Sequence, residues 1–444
     1  MRLVFLALLV AVVTVSAVEV SIMMPLNLVD NSGYLHYSEE QLTTWFYRLT
    51  NASIHNVMAD VWWGITEPQP KHYNFDAYVK FLTIAKKCGL KVQFVTSFHR
   101  CGGNVGDDCN IPLPDWILEV GYRNPDIWYT DQHGHRDTEY VSLFVDNEKL
   151  FHGRSPVQIY ADWIDAFTTS IKPFLLSTVT EYQVGLGPCG ELRYPSYQLD
   201  RWQFCGVGAF QCYDSYARAS LRRAAEAIGK DWSGPPSDAG SYNSRPEETN
   251  FFRTNGGYAS EYGNFFLKWY ADQLLVHFEN VIGEVRKRLS MKGLSSFPLA
   301  VKNSGLHWQY RHASHAAELT GGYYNTNGND GYGRTMHLYK KYNVIFDFTC
   351  LEMQDHEQPQ DCLCSPYNLV GQTIKAAKFH GIEYAGENAI QGYSQNKFDT
   401  MYDQATRFGT GSVKAITILR LSSDMLQDDN FKRLAAWVDR ISKV

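Results

Sequence analysis

No run of basic residues occurs anywhere in the 444 residues, and the formal net charge is −6. A nucleic-acid partner needs a concentrated positive surface, so none is expected. Low-complexity tracts, long charge runs and short repeats are missing too. After the N-terminal segment no apolar stretch is long enough to cross a bilayer. No Walker loop follows a strand, and no GxSxG elbow is present, so phosphate cradling and serine acyl chemistry lose their usual signatures. Metal ligation is poorly supported: His307, His312 and His315 have a ligand-like spacing, but no cysteine or carboxylate set completes it. A rim or helix-surface role suits them better, and neither metal nor cofactor is assigned.

What is abundant is aromatic. Tyr, Phe and Trp number 28, 24 and 11, or 14% of the chain. A large core explains part of this. A ring-lined cleft explains it equally well, because sugar rings stack on aromatic faces while their hydroxyls seek polar partners.

The chain opens "MRLVFLALLVAVVTVSAVEV". Arg2, the apolar run Leu3–Val13 and the small residues Val15-Ser16-Ala17 read as a signal peptide over residues 1–17, cut after Ala17. The expectation is a secreted protein, or one kept within the secretory or endolysosomal pathway, free of the membrane after cleavage and monomeric. Nine cysteines fit an oxidising compartment, and their odd number leaves at least one thiol unpaired. Cys88 lies on the apolar side of a helical pattern and reads as a buried free thiol. Cys101 and Cys109 bracket a glycine-rich septet, and a bridge there would add roughly 2–3 kcal/mol in the loop-entropy model. Cys205 and Cys212 form a second local option. Cys362 and Cys364 are too close to pair with each other.

Eight apolar runs of strand length recur along the chain: "VEVSIMMPL", "NVMADVWW", "KVQFVTSFH", "EYQVGLG", "PLAVKNSG", "NVIFDFTCL", "IEYAGENAI" and "AITILRL". They are rich in Val, Ile and Phe and lack strict polar alternation, as fully buried parallel strands do. Helical spacing appears over Glu39–Leu49, Asp76–Cys88, Val157–Phe174, Asp214–Ile228, Glu261–Leu289, Pro366–His380, Phe398–Phe408 and Phe431–Ile441. Residues 18–444 are therefore expected to form one α/β domain, a (β/α)8 TIM barrel with long loops after strands 3 and 4. A doubly wound open sheet is the runner-up. The polar, Gly/Pro-rich stretch Ser233–Asn250 reads as a surface loop, because the barrel pattern resumes after it.

Polar residues mark seven successive strand ends. They are Asp60, then His99, Glu191, Lys302 with His307, Thr349 with Glu352, Glu387 with Asn388, and Arg420. One such residue is usually a satisfied core group or a solvated rim. Seven on the same face of a barrel point to a single site. Glu191 and Glu387 follow strands 4 and 7, which oppose each other across a barrel mouth. Two opposed carboxylates are what glycoside hydrolysis requires: one protonates the leaving oxygen, the other activates water or attacks the anomeric carbon. Taken singly, each Glu reads as well as a salt-bridged residue, with Arg193 or Lys302 as partner. Asp60, His99, Lys302, Asn388 and Arg420 suit sugar hydroxyls. Trp62, Trp63, Trp308 and Tyr194 offer stacking faces.

With "MADVWWG", "SFHRCGGNVGDDCNIPLP", "GLGPCGELRYPSY", "LAVKNSGLHWQY", "FTCLEM", "AGENAI" and "LRLS" in this order, the chain resembles the β-amylases. These are inverting glycoside hydrolases that release maltose from the non-reducing ends of α-1,4-glucans. The resemblance runs from about Val18 to the last helix. It implies a (β/α)8 barrel, Glu191 as general acid and Glu387 as general base. It assigns Asp107 to a mobile lid and Thr349 to an inner loop that moves with binding. Asp60, His99, Lys302, His307, Asn388, Ala389 and Arg420 match sugar-binding positions, and starch, glycogen and maltooligosaccharides are the implied substrates. Cys109 resembles the bacterial form, in which the lid cysteines are bridged. The chain ends soon after the last helix, without the starch-binding module of bacterial members or the long tail of plant members, so strong binding to raw granules is not expected. The alternatives are a non-catalytic glucan-binding relative and a retaining barrel glycosidase.

Overall fold

The computed structural model describes residues 17–444. Ten strands form: β1 Glu19–Met23, β2 Asn56–Trp62, β3 Lys91–Ser97, β4 Trp128–Thr130, β5 Arg136–Val141, β6 Val179–Val184, β7 Leu299–Asn303, β8 Val344–Phe348, β9 Tyr384–Glu387 and β10 Ala415–Ile418. All except β4 and β5 pair in parallel, in chain order, and β1 closes the ring against β10 from Glu19↔Ala415 to Ile22↔Ile418. The eight expected strands are these eight, and the (β/α)8 barrel is the observed fold. Closure leaves no sheet edge, so the strand backbones find their partners within the ring.

Each crossover carries a helix on the outside. The helices over Glu39–Asn51, Asp76–Lys87, Pro156–Ser170, Glu261–Met291, Pro366–His380, Gln395–Thr406 and Asp428–Ile441 follow the expected spacing. Serine caps start several of them. Ser155 accepts from the Gln158 N–H while Gln158 answers to the Ser155 N–H, with Pro156 at the first helical position.

One crossover departs from expectation. Between β7 and β8 lie a short helix, Ala316–Gly321, and the longer Gly333–Tyr342, neither of which the spacing revealed. The buried face of the longer one is short, formed by Thr335, Met336 and Tyr339. The helical pattern expected near Asp214 is real, over Ser215–Glu226, but belongs to the excursion after β6 rather than to the barrel wall. The excursion after β3 holds the helix Asp115–Arg123 and the antiparallel ribbon β4–β5.

Outward-facing residues such as Val57, Ala59 and Val61 join the main core beneath the helices. The bore of the barrel is unusually polar. Ser21 Oγ donates to Gln93 at 2.8 Å, Gln93 donates to Glu181 at 3.3 Å, and Gln183 donates to Asp347. Burial pushes Glu181 up to about 7, with Glu19 and Glu383 adding to the rise and Lys414 opposing it. The sign follows from proton binding. Between the ordinary glutamate value and about 7 the folded chain holds a proton that the unfolded chain has lost, so this group's contribution to stability falls as pH rises through that window.

Glu181→Gln keeps the volume and can still accept from Gln93. It should stabilise the fold by on the order of 1–3 kcal/mol at pH 8 and by much less at pH 5. Denaturant unfolding at the two pH values checks this. An equal difference at both would rule out Glu181 as the source.

Candidate active site

The fourth barrel strand, β6, ends at Val184, and the chain then turns through Pro188–Gly190. Gly185–Gly190 has the glycine spacing of a dinucleotide fingerprint, yet it opens one 3-10 turn and no long helix, so the phosphate-binding arrangement is not built. Gly187 is needed for a close approach, since a Cβ there would lie 2.5 Å from the Glu191 carbonyl oxygen. After the turn, Glu191 forms a parallel bridge with Lys302, and the Leu192 N–H donates to the Lys302 carbonyl at 2.8 Å. The candidate acid is thus held by sheet-like pairing at the end of β7.

Glu387 is the last residue of β9. The inner loop after β8 grips it from one side: the Leu351 N–H donates to the Glu387 carbonyl at 3.2 Å. The buried Glu352 carboxylate accepts from the N–H groups of Ala389 and Ile390 at 3.0 and 2.9 Å. Glu352 therefore shapes the loop, and burial raises its carboxyl above the usual range. Thr349, at the start of the inner loop, accepts from the Gly305 N–H at 2.7 Å.

Each of the two candidate carboxylates has its own cation. Arg193 Nε donates to Glu191 Oε2 at 2.6 Å, and Lys302 Nζ donates to Glu387 Oε1 at 3.0 Å. The salt-bridge reading and the site reading of these glutamates hold together. Arg193 is fully buried and lies over the Tyr197 ring at 4.2 Å. Burial works against the charge on Lys302, but the carboxylates of Glu387, Glu191 and Asp347 outweigh it and raise the ammonium above its ordinary value. Both cations stay charged across the working pH range.

The cleft between these groups encloses about 320 Å³. Asp60, His99, Asp107, Glu191, Lys302, His307, Thr349, Glu387, Ala389 and Arg420 line it. Asp60 Oδ2, His99 Nδ1, His307 Nδ1 and Arg420 Nη1 are buried there without a hydrogen-bond partner in the protein. Asp60 Oδ2 and Arg420 Nη1 lie 4.0 Å apart as an ion pair, and a cleft lined by this many polar side chains suits a ligand that carries many hydroxyls. Burial, aided by Lys302, Arg193 and Arg420, pushes His99 down to about 3, and burial takes His307 to about 4 despite Asp355. Both rings are neutral at ordinary pH and can donate through one nitrogen and accept through the other. Burial is also the main cause that raises the Asp60 carboxyl, partly offset by Arg420 and a 2.8 Å bond from Ser97.

Some expected site residues sit elsewhere. Asn388 is turned from the cleft: its Oδ1 accepts from the Leu419 N–H at 2.8 Å and its Nδ2 donates to the Ile390 carbonyl at 3.0 Å, tying β9 to β10. Trp62 and Trp308 line the cleft, but Trp63 and Tyr194 do not. Trp63 is buried with its indole N–H on Glu67, and Tyr194 stacks on Tyr270 at 3.8 Å inside the core. Apolar contact competes for these rings and wins. His312 is buried rather than on the rim, bonded to Ser314 and Glu247, and His315 pairs with Glu318. Sequence reasoning missed Tyr197, Trp202, Phe204 and Met353 as cleft residues. The density of rings in "YPSYQLDRWQF" was the available signal.

The lid spans Cys101–Cys109 and is a closed hairpin. Cys101 and Ile111 exchange backbone hydrogen bonds, and the sulfurs of Cys101 and Cys109 pair with Cα atoms 5.7 Å apart. Asp107 Oδ2 accepts from the N–H groups of Gly102 and Asn104 at 3.0 and 3.1 Å, so the carboxylate also organises the lid. The second pair is Cys205–Cys362, not Cys205–Cys212. It joins the excursion after β6 to the one after β8, and Cys212 is a buried thiol, as are Cys88, Cys350 and Cys364.

A polar cleft of this kind at the strand ends of a closed barrel belongs to the barrel glycoside hydrolases. The model of glycosyl hydrolase family 14 matches residues 21–443, and the chain belongs to that family, the β-amylases. β-Amylase 1, chloroplastic, of Oryza sativa subsp. japonica is 45% identical over 435 residues, 96% of this chain and 81% of that one. β-Amylase 1, chloroplastic, of Arabidopsis thaliana is 44% identical over 439 residues, 96% of this chain and 76% of that one. The crystal structure of the catalytic domain of the Paenibacillus polymyxa β-amylase superimposes with a TM-score of 0.80 at 28% identity, over 96% of this chain and 99% of that one.

The plant names carry a correction. The two plant relatives named above are chloroplast proteins by name, which points to a plastid and overturns the expectation of a secreted or endolysosomal protein. Residues 1–16, on which the signal-peptide reading rests, lie outside the described part. With the oxidising compartment gone, the two cysteine pairings are proximities, with Cα atoms 5.7 and 5.8 Å apart. Among the described residues no helix is long and apolar enough to cross a membrane.

Proposed function

We propose that the enzyme hydrolyses α-1,4-glucosidic bonds of starch, glycogen and maltooligosaccharides from non-reducing ends, releasing β-maltose, with Glu191 as general acid and Glu387 as general base. The observation that carries this reading is the pair of cleft carboxylates, each oriented by a separate buried cation. Arg193 and Lys302 fix the orientation of the two carboxylates, each from its own side, and which of the two carries the proton is set by the bound sugar and water rather than by these cations, since both favour the ionised form.

In the reaction the Glu191 carboxyl gives its proton to the glycosidic oxygen as that bond to the anomeric carbon breaks. Glu387 takes a proton from a water that attacks the same carbon from the opposite face. The new hydroxyl is therefore inverted, and both carboxyl groups return to their starting states through solvent. Inversion needs room for the water, which sets the carboxyl separation at about 6.5–9.5 Å. Asp60, His99, His307 and Arg420 line the cleft as polar side chains for sugar hydroxyls, and Trp62 and Trp308 line it as rings. The lid, with Asp107, covers the bound chain and keeps bulk water out.

Glu191→Gln and Glu387→Gln keep an acceptor for Arg193 and Lys302. Each should lower turnover by about 10²–10⁴-fold while maltooligosaccharide binding, read by calorimetry, persists. Near-normal turnover in Glu387→Gln would remove it as the base.

Asp107→Asn retains an oxygen for the two lid N–H groups but loses the charge. It should leave Tm within about 2 °C of wild type and lower kcat several-fold. Wild-type kcat and KM on a maltooligosaccharide that fills the cleft would show the lid carboxylate to be idle in catalysis.

A further inference from the structure

The ribbon β4–β5 contributes a carboxylate that the steps above do not use. Glu139, in β5, is fully buried. Its Oε1 accepts two hydrogen bonds of 2.8 Å. One comes from Asn104 Nδ2 in the lid, the other from the N–H of Cys189 in the turn that precedes Glu191. Its Oε2 accepts from Gln198 Nε2, a few residues beyond the acid. Its carbonyl accepts from the Arg100 N–H at 2.8 Å, at the base of the lid. Asn104 passes the contact onward: its Oδ1 faces Arg193 Nη2 at 3.5 Å, and Arg193 holds Glu191.

Burying a carboxylate to this depth is costly unless its lone pairs are filled. The donors that fill them, two side-chain amides and one backbone N–H, come from the lid and from the acid-bearing segment, not from the ribbon that carries Glu139. A residue serving only its own ribbon would find partners within it. The lid and the acid turn leave the barrel from different strands, β3 and β6. Among the described residues, Glu139 is the one carboxylate on which donors from both converge.

The geometry points to Glu139 as a positioning residue for the hydrolysis, a buried anchor that locks the lid and the turn bearing Glu191 into one register. This rests on the reading of Glu191 as the acid and of the lid as the cover of the cleft. Glu139 itself lies behind the cleft wall and touches no substrate. Its effect passes through Asn104 to the lid and through the Cys189 N–H to the acid. Loss of the anchor should shift both by a fraction of an ångström or more, an error that catalysis tolerates poorly and sugar binding tolerates well.

Steady-state kinetics on maltoheptaose, with circular dichroism on the same samples, tests this in Glu139→Ala and Glu139→Gln. The glutamine can keep its Oε1 toward Asn104 and Cys189, and Gln198 can turn its own amide to present an oxygen. Folded Glu139→Ala should lose about ten- to hundred-fold in kcat, with KM changed less than about threefold, while Glu139→Gln stays within about threefold of wild type. Should Glu139→Ala fail to fold, Asn104→Ala cuts the lid arm together with its contact to Arg193 and should lower kcat in the same direction. A purely structural residue would lower Tm and the folded fraction but leave kcat per folded molecule intact. Wild-type kcat in folded Glu139→Ala or in Asn104→Ala, or a Glu139→Gln as impaired as the alanine variant, overturns the inference. A wild-type enzyme inert on maltoheptaose would instead overturn the proposed function on which it rests.

Discussion

Lys302 ties the two halves of the site together. Its backbone pairs with Glu191 and Leu192, and its ammonium pairs with Glu387. Glu191 and Glu387 come from strands three places apart in the ring of eight, and this one residue, at the end of β7, contacts both. A buried ammonium survives only if anions compensate its desolvation, and here Glu387, Glu191 and Asp347 do so. The compensation is mutual, because the carboxylates also lose less by burial when the cation is near. Removing any one member leaves the others with uncompensated charge, which is far costlier than the net worth of the pair.

The rest of the architecture follows from keeping that cluster dry and fixed. The closed barrel satisfies the strand backbones and lets polar side chains face a common end. The excursions after β3 and β6 wall the cleft, and the Cys205–Cys362 pair fastens the second of them to the loop after β8. Neutral His99 and His307, together with the Asp60–Arg420 ion pair, line the cleft as polar side chains. Such groups are held in position by their neighbours before any substrate arrives, which is where preorganisation gains its effect.

Much of this was legible in the chain itself. Fully buried parallel strands need near-continuous apolar runs, and the eight runs named every barrel strand. Polar residues at strand ends have few structural reasons to recur, and Asp60, His99, Glu191, Lys302, His307, Thr349, Glu387 and Arg420 do line the cleft; Asp107 and Ala389, which line it too, were expected only from the family resemblance. What stayed hidden depends on long-range packing. Gly333–Tyr342 buries only three side chains, too few to stand out as a helical face. Residue type told that Trp63 and Tyr194 would bury area, but not that they would bury it in the core. Cys205 and Cys362 are 157 residues apart, beyond any argument from spacing. Glu139 sits in a strand of the ribbon where a glutamate normally faces water, and only the tertiary structure reveals that the lid and the acid turn both donate to it.

The central claim is that Glu191 and Glu387 act from opposite faces of the anomeric carbon, with water between that carbon and Glu387. The configuration of the first product reports this directly. Proton NMR of the anomeric region during hydrolysis of soluble starch, taken faster than mutarotation, should show β-maltose appearing first and the α form only later. If α-maltose appears first, configuration is retained, and Glu387 acts as a nucleophile rather than as the base that activates water.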